Sequence, residues 1–553
     1  MFSQCEFEIF SEDYVGYLFR EGVFFRQNIE QLPEQCITPI NSKWFIAYVK
    51  LKSTDRRTFE DIRYQFLPRI YGLSDLSAAG ATGVLAVRDI PSLGFFGAGR
   101  YIAIIDTGIN WRHEAFINEN NTSKIEVMWD QKSNSVYYNE DFNRALKEND
   151  NTIPSDDIGH GTFMAGIAAG RTKRESNFTG VAPEARLIVV KLRQARQFLR
   201  DFLFIREGAY AYSEDDIMRG VAFVSEYANL NRYTVSYVLG MGTNLGAHTG
   251  MSPLGDILGD EAEVAGRCVS LAVGNEGNER LHFAGNILNA NPQRVEIRVG
   301  EGEKGFVCEL WSFAPEVYSV EIISPSGQLI NRVPVRTQTS TIYSFLFENT
   351  TIEVYYQLYE SNSGQNLMAI RFSEPAPGIW TLNVYGRDIN TGKYNIWINN
   401  RDFLSGETFF ISSDPYETIT NPANNSQCIS VTAYNHKNNT AYINAGRGFN
   451  GYGAIKPDFA APGIAVVGPS NIGRDNYVTR SGTSVATAFY GGFAALIQEY
   501  GVRRGENPYF RTSEIKNITI SGCTRKEGIT YPDRIWGYGS INLYNSIERL
   551  RLE

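Results

Sequence analysis

The sequence predicts an α/β fold built on a parallel sheet with helices on both faces. Short apolar runs rich in β-forming residues occur at 101–105, 187–190, 233–239 and 268–273. Segments of helical composition alternate with these runs, at 215–228 and 254–265. This alternation is typical of βαβ units, in which strands lie parallel and the connecting helices cover the sheet.

Changes of pattern divide the chain into four segments. Residues 1–83 contain short helical and strand-like pieces, which predict a small α+β module or, alternatively, a simple N-terminal extension. Residues 84–292 carry the βαβ alternation. From 293 to 415, short alternating strands are separated by Gly, Pro and Asn, which is typical of a β-sandwich. The α/β pattern resumes near Ile419, so the sandwich interrupts one α/β domain, whose second part is 416–553.

Three polar residues lie where elements of the predicted α/β domain begin or end. Asp106 follows the apolar run 101–105, His160 lies between two glycines ahead of a helical segment, and Ser484 opens an Ala-rich helical segment. Open α/β sheets place their functional residues at the carboxyl ends of strands. A hydroxyl nucleophile, an imidazole base and a carboxylate that orients the base are the components of nucleophilic acyl transfer.

Each of the three residues also has an ordinary structural interpretation. Asp106 fits a turn after a core strand, His160 a helix cap or a core histidine, and Ser484 a helix N-cap. The order acid, histidine, serine along the chain is, however, one of three known orders of a Ser-His-Asp triad. The combination therefore predicts a catalytic triad of Asp106, His160 and Ser484.

These motifs resemble those of the subtilisin-like serine proteases, the subtilases, from about Val84 to Leu543. The segment Ala272-Val273-Gly274-Asn275-Glu276-Gly277 is similar to the one that carries the family's oxyanion donor, and Asn275 falls at that position. A side-chain amide there stabilises charge that exists only in the transition state. The stretch 456–463 matches a further subtilase segment, to which we assign a structural role.

Three departures from the subtilase pattern concern the site. Phe163 stands where many subtilases carry a second histidine that is not part of the triad, and Ala488 replaces the usual proline of the serine helix. Gly240, Met241 and Gly242 fall on the family's substrate-binding strand, which usually starts with serine. The resemblance therefore implies substrate binding by these three residues and an altered wall of the S1 pocket.

Within the subtilases, the chain bears a closer likeness to the clostridial germination proteases, the Csp group. The similar stretches are Tyr71-Gly72-Leu73, Met128-Trp129-Asp130-Gln131, Gly242-Thr243-Asn244-Leu245-Gly246-Ala247-His248, and Cys308-Glu309-Leu310-Trp311 with 320–327. The likeness implies that 293–415 is a jelly roll. It also implies that 1–83 is a prodomain, which stays bound to its own chain with its tail in the active site. From the same likeness we expect self-cleavage between Gly80 and Val87.

Composition limits the partners of the chain. A net charge of −9 argues against nucleic acid or an anionic membrane as the main partner. The Arg-rich span 186–206 is an exception, which we interpret as a solvated loop and helix face. Six scattered cysteines without CxxC spacing indicate neither a zinc site nor a disulfide framework. We expect no metal and no cofactor.

The N-terminal residues and the lengths of the apolar runs indicate where the chain is located. The N-terminal residues have no basic region followed by a long apolar stretch, so they do not resemble a secretion signal. No run approaches the roughly 18 to 20 apolar residues of a membrane span. We therefore expect synthesis in the cytoplasm without a signal peptide, with packaging in the spore as a further expectation.

Two classes of function fit these observations. The first is a serine endopeptidase that processes a protein precursor during spore germination, such as the precursor of a cortex-lytic enzyme. The second is a non-catalytic germination sensor or scaffold with the same fold, because fold does not determine function. The presence of all three triad residues and of Asn275 favours the first class.

Overall fold

The computed structural model describes residues 5–20, 35–51, 58–59, 64–73, 82–84, 87, 94–171, 178–288, 291–345, 347–504 and 509–552. Its helices, in chain order, are α1 (Glu6–Phe10), α2 (Asn139–Glu148), α3 (His160–Ala169), α4 (Gln197–Phe202), α5 (Glu214–Asn231), α6 (Pro253–Glu263), α7 (Thr483–Arg504), α8 (Thr512–Gly522) and α9 (Leu543–Leu552).

The strands are numbered in the same way. Those that precede the sandwich are β1 (Tyr14–Arg20), β2 (Gln35–Pro39), β3 (Trp44–Lys50), β4 (Ile70–Leu73), β5 (Tyr101–Asp106), β6 (Ile125–Asp130), β7 (Ser135–Tyr138), β8 (Arg186–Lys191), β9 (Ala211–Ser213), β10 (Val235–Leu239), β11 (Met241–Gly242) and β12 (Arg267–Ala272). Those of the sandwich are β13 (His282–Asn286), β14 (Gln293–Val299), β15 (Gly305–Ser312), β16 (Val317–Ile323), β17 (Leu329–Ile330), β18 (Thr339–Phe345), β19 (Thr350–Gln357), β20 (Asn366–Ser373), β21 (Gly378–Arg387), β22 (Lys393–Ile398) and β23 (Phe409–Phe410). Those that follow are β24 (Ile429–Asn435), β25 (Thr440–Ala441), β26 (Phe459–Pro462), β27 (Val466–Pro469) and β28 (Tyr477–Arg480).

The central sheet has the strand order β25-β24-β12-β10-β5-β8-β6-β7, with β26 paired to β24. Its inner pairs are parallel, and only the pairs with β7 and β25 at the two ends of this order are antiparallel. Ile102 and Ile104 of β5 pack with α3 and α7 on one face, whereas Ala103 and Ile105 pack with α5 and α6 on the other. The predicted α/β fold, with a parallel sheet and helices on both faces, is confirmed.

The insertion consists of two antiparallel sheets. Their strand orders are β13-β22-β15-β20-β19-β18 and β17-β16-β21-β14-β23, and their apolar side chains share one buried cluster. Because β13 pairs with β22, this two-sheet unit begins before the start at 293 that the sequence predicts.

The N-terminal module contains a three-stranded antiparallel sheet in the order β1-β3-β2. Arg196 attaches it to the α/β domain, since its guanidinium donates to the carbonyl oxygens of Ile9 (2.5 Å) and Ser11 (3.3 Å). Arg196 is buried, so the interpretation of 186–206 as a solvated face is wrong at this residue.

One further expectation about the N-terminal module needs correction. The sequence indicates no disulfide framework, but Cys5 and Cys36 form a disulfide with their Cα atoms 5.7 Å apart. The two residues are 31 positions apart, and the fold of the module brings them together. Residue spacing alone does not contain that information.

Candidate active site

Asp106 and His160 form a buried pair at the carboxyl end of β5. His160 Nδ1 lies 2.7 Å from Asp106 Oδ1 and 2.8 Å from Oδ2. Both side chains are almost completely buried. Because a carboxylate accepts, Nδ1 carries the hydrogen of this bond, and Nε2 points away from Asp106. An imidazole held in this way is oriented to exchange a proton at Nε2.

Two side chains fix the start of α3, on which His160 is the first residue. Asp156 accepts from the backbone N–H groups of Ile158, Gly159 and Thr162 and from the Thr162 hydroxyl, at 2.7 to 3.0 Å. Burial acts to raise the pKa of Asp156, but these hydrogen bonds bring it below its usual value. Thr107 Oγ1 accepts from Gly161 N at 2.9 Å and so ties the helix to the residue that follows Asp106.

The start of α3 packs so closely against the segment after β5 that position 161 must be a glycine. A Cβ atom there would lie 2.2 Å from the carbonyl oxygen of Gly108 and 3.2 Å from Asp106 Cβ. The sequence predicts the role of the glycines around His160, but not the role of Asp156. The available signal was the residue type, because an aspartate in a loop often accepts from backbone N–H groups two or three residues further along the chain.

Ser484 is the second residue of α7 and is fully buried. The preceding residue, Thr483, donates from its backbone N–H (3.2 Å) and its hydroxyl (3.1 Å) to Asn275 Oδ1. An amide whose oxygen is held by two donors presents its NH₂ group in the opposite direction. Asn275 is thus fixed beside Ser484, and an amide N–H group in such a place can donate to an oxygen that bears negative charge.

Gly240 brings Ser484 and His160 together. A Cβ atom at Gly240 would lie 2.8 Å from Ser484 Cβ and 3.1 Å from His160 Cε1. The side chains of Asp106, His160 and Ser484 are therefore gathered around one point, with Gly240 at their edge. Such a group can activate a hydroxyl for attack on a carbonyl carbon.

The other two residues of the predicted substrate-binding strand form β11. Met241 pairs with Leu73 and Gly242 with Gly72 of β4, antiparallel. The other edge of β4 pairs with β9, again antiparallel, so that a segment of the N-terminal module lies between two strands of the α/β domain. Backbone pairing of this kind is the way in which an extended peptide is held against an exposed strand.

The two departures in the neighbouring helices are buried. Phe163, on α3, contacts Gly468 of β27, where a Cβ atom would lie 2.8 Å from its ring. Ala488 lies within α7, in the same hydrophobic cluster as Phe163. The predicted structural segment 456–463 contains β26 and a buried ion pair, in which Lys456 Nζ lies 2.7 Å from Asp458 Oδ2.

The structure describes only part of the interval from Gly80 to Val87 in which the sequence predicts a cut. Gly80, Ala81 and residues 85–86 lie outside the described residues. Thr82 is buried, and its carbonyl oxygen accepts from Leu543 N of α9 at 2.9 Å. Val84 and Val87 are buried in the same cluster as Leu543. These residues are therefore held at the C-terminal helix, whereas the end of β4 lies at the candidate site.

Within the described ranges, no three His, Cys, Asp or Glu side chains are grouped so that they could hold a metal ion. None of the helices described has both the length and the apolar composition that crossing a bilayer requires.

Comparison with known proteins places these features in a wider group. The sequence profile of the subtilase family matches residues 97–295 and 399–539. Serine protease AprX of Bacillus subtilis is 32% identical over 151 residues, which are 24% of this chain and 32% of AprX. Subtilase-type proteinase psp3 of Schizosaccharomyces pombe is 24% identical over 265 residues, 45% of this chain and 46% of psp3. The chain thus spans less than half the length of these relatives.

A solved structure matches over most of the chain. The structure of the CspB protease of Clostridium perfringens superposes with a TM-score of 0.77 and 28% sequence identity. The match covers 85% of this chain and 96% of that one. The predicted likeness to the Csp group is confirmed by this match.

Proposed function

The chain belongs to the subtilase family, and we propose that it is a serine endopeptidase with Asp106, His160 and Ser484 as its catalytic triad. The observation that carries this proposal is the pair of hydrogen bonds between His160 Nδ1 and Asp106, with Ser484 and His160 both adjoining Gly240. The arrangement contains a nucleophile, a base and the group that orients the base.

The proposed reaction assigns one step to each side chain. Ser484 Oγ attacks the carbonyl carbon of the peptide bond, and His160 accepts its proton at Nε2. His160 then donates this proton to the leaving amine, and Asp106 stabilises the imidazolium that exists between the two steps. The oxygen of the tetrahedral intermediate accepts hydrogen bonds from Asn275 Nδ2 and from backbone N–H groups at the start of α7. Water repeats the sequence on the acyl-enzyme.

The N-terminal module is proposed to act as an intramolecular inhibitor. Its strand β4 occupies the position between β9 and β11 that an extended substrate would take. Arg69, directly before β4, lies 2.6 Å from Glu309 of the two-sheet insertion, and the Tyr64 hydroxyl donates to the same carboxylate. Glu309 is completely buried. Hydrogen bonds to an ionised carboxylate are stronger than those between neutral groups, so Glu309 links the N-terminal module to the insertion by two bonds of the stronger kind.

The proposed physiological substrate is a protein precursor that is cleaved during spore germination, such as the precursor of a cortex-lytic enzyme. The likeness to the Csp group supports this assignment, and packaging of the chain in the spore accords with it. The likeness also supports the proposals that the N-terminal module is a prodomain and that the insertion is a jelly roll.

A fluorophosphonate probe tests the proposed activity because it reacts with an activated serine. We expect covalent labelling of the full chain, and no labelling of Ser484→Ala. Ser546→Ala, which changes a buried serine of α9, is the matched control and should be labelled like the wild type. A folded wild-type chain that is not labelled would instead support a non-catalytic germination sensor or scaffold.

A further inference from the structure

The space beside the substrate-binding strand is filled by one side chain. A Cβ atom at Gly242 would lie 2.1 Å from Thr420 Oγ1, and a Cβ atom at Gly274 would lie 2.5 Å from the same oxygen. Gly242 ends β11, and Gly274 directly precedes Asn275. The Thr420 side chain therefore lies between the strand that holds a substrate backbone and the segment that carries the oxyanion donor.

Backbone hydrogen bonds hold Thr420 to both sides of this space. Thr420 N donates to Val273 O at 3.0 Å, on the side of Asn275. The next residue, Asn421, exchanges two hydrogen bonds with Thr243, at 2.9 and 3.0 Å, on the side of β11. Thr420 cannot withdraw without breaking bonds to one of the two walls, so its position is part of the site's shape.

The Thr420 hydroxyl is also chemically available. Its Oγ1 is buried and has no hydrogen-bond partner among the residues that the structure describes. Buried hydroxyl groups are usually paired, so an unpaired one beside a binding strand indicates a missing ligand group. Because a hydroxyl both donates and accepts, its fitting partner is another small polar group.

We propose that Thr420 determines the P1 specificity of the enzyme by closing the S1 pocket, so that only glycine, alanine or serine fits at P1. Glycine and alanine fit because they place at most one methyl group in front of Thr420. Serine is favoured among the three because its hydroxyl pairs with Thr420 Oγ1. This inference rests on the proposed endopeptidase function and specifies its substrate class.

The chain's own sequence accords with this inference. Leu73 pairs with Met241. The residue before Met241 is Gly240, which lies against Ser484 and His160 of the triad. The residue that follows Leu73 in the sequence is Ser74, whose side chain has the size and polarity that the pocket is inferred to accept.

Two peptidyl diphenyl phosphonates test the inference, because they react with the catalytic serine and carry a P1 side chain. One has the alanine side chain at P1 and the other the phenylalanine side chain. The labelling rate of the full chain with each is divided by its rate with a fluorophosphonate that lacks a P1 group. We expect the wild type to favour the alanine probe at least about tenfold.

The ratio of the alanine rate to the phenylalanine rate should fall as the side chain at position 420 becomes smaller. Thr420→Ala should reduce the preference for the alanine probe, and Thr420→Gly should reduce it further, by at least about tenfold in total. Thr432→Ala is the matched control, since Thr432 is another buried threonine whose Oγ1 has no partner among the described residues. This control should keep the wild-type ratio. If Thr420→Gly does not fold, Thr420→Ala alone decides.

Two results would overturn the inference while the proposed function stands: a wild type that prefers the phenylalanine probe, or an unchanged ratio in the Thr420 variants. A wild type that the fluorophosphonate does not label contradicts the endopeptidase function itself, and the P1 inference with it.

Discussion

Leu73 of the N-terminal module lies opposite Met241 in the antiparallel pair of β4 and β11. Met241 adjoins Gly240, which lies against Ser484 and His160. The carboxyl end of β4 is therefore next to the triad. If the chain continues beyond Leu73 in an extended conformation and in this register, the peptide bonds that follow Leu73 come next to Ser484.

We therefore expect the chain to cut itself within a few residues after Leu73, ahead of the interval from Gly80 to Val87 that the sequence predicts. Intact mass spectrometry of the purified protein measures the two fragments, and Ser484→Ala should remain whole. A cut between Gly80 and Val87 would show that the register of β4 does not determine the cleaved bond. A wild type that stays a single chain would argue against self-processing altogether.

Replacing either His160 or Ser484 by alanine should abolish nearly all activity, with losses in kcat of up to about a millionfold, as measured in subtilisin. The double variant should lose little more, because the two side chains act as one unit. Steady-state hydrolysis of a chromogenic peptide with alanine at P1 measures both. His436→Ala, in a histidine outside the proposed triad, should keep wild-type activity. Losses that add up in the double variant would argue against the assignment of the triad.

Asp156 should matter through the position of His160. Asp156→Ala removes four hydrogen bonds at the start of α3. We therefore expect the free energy of unfolding to fall by about 3 kcal/mol. We also expect kcat to fall about tenfold or more, because His160 is no longer held in position. The neighbouring Asp157→Ala removes an exposed carboxylate that pairs with Lys191, and it should cost less than about 1 kcal/mol. Urea unfolding and peptide hydrolysis measure the two quantities. If the two substitutions had equal effects, Asp156 would not be the residue that positions His160.

The sequence predicts the α/β fold and the triad because both depend on local patterns. Asp106 and His160 each lie at the end of an element whose composition is clear, and their motifs are contiguous in the chain. The contacts that attach the N-terminal module are different in kind. Arg69 and Glu309 are 240 positions apart, and neither has a local signal for the other. Arg196 appears as one of many arginines in the sequence, and only the fold shows that it is buried.

Gly240→Ser should alter the P1 preference more than the stability of the protein, because Gly240 begins the predicted substrate-binding strand. The structure adds an expected loss of kcat, because the new Cβ atom would lie against Ser484 and His160 and would displace one of them. A displacement of about 1 Å costs up to about a hundredfold in rate. Cleavage of a peptide library that varies P1 measures the preference. An unchanged library profile together with an unchanged kcat would remove Gly240 from the site.

His248 should make the protein sensitive to acid. It is buried, stacks on Trp397 with a ring-centroid distance of 4.0 Å, and donates from Nε2 to the backbone carbonyl oxygen of Asn244 at 2.8 Å. Burial lowers the pKa of His248 to about 3, whereas an unfolded histidine titrates near 6.5. His282, which also stacks on Trp397 with its ring centroid 4.8 Å away, likewise has a lowered pKa because it is buried.

A histidine whose pKa is lower in the folded state stabilises the fold above pH 6.5, and this contribution is lost as the pH falls towards 3. Each such histidine lowers the free energy of unfolding by about 1.4 kcal/mol per pH unit below 6.5. His248→Phe keeps an aromatic ring beside Trp397 and removes one of the two titrations. Between pH 6.5 and 5 its free energy of unfolding should therefore fall less steeply than that of the wild type, by about 1.4 kcal/mol per pH unit. Urea unfolding at several pH values measures this slope, and the difference between the two proteins should be constant between pH 7.5 and 8.5. Parallel curves over the whole range would show that His248 has the same pKa in the folded and the unfolded protein, which contradicts this prediction.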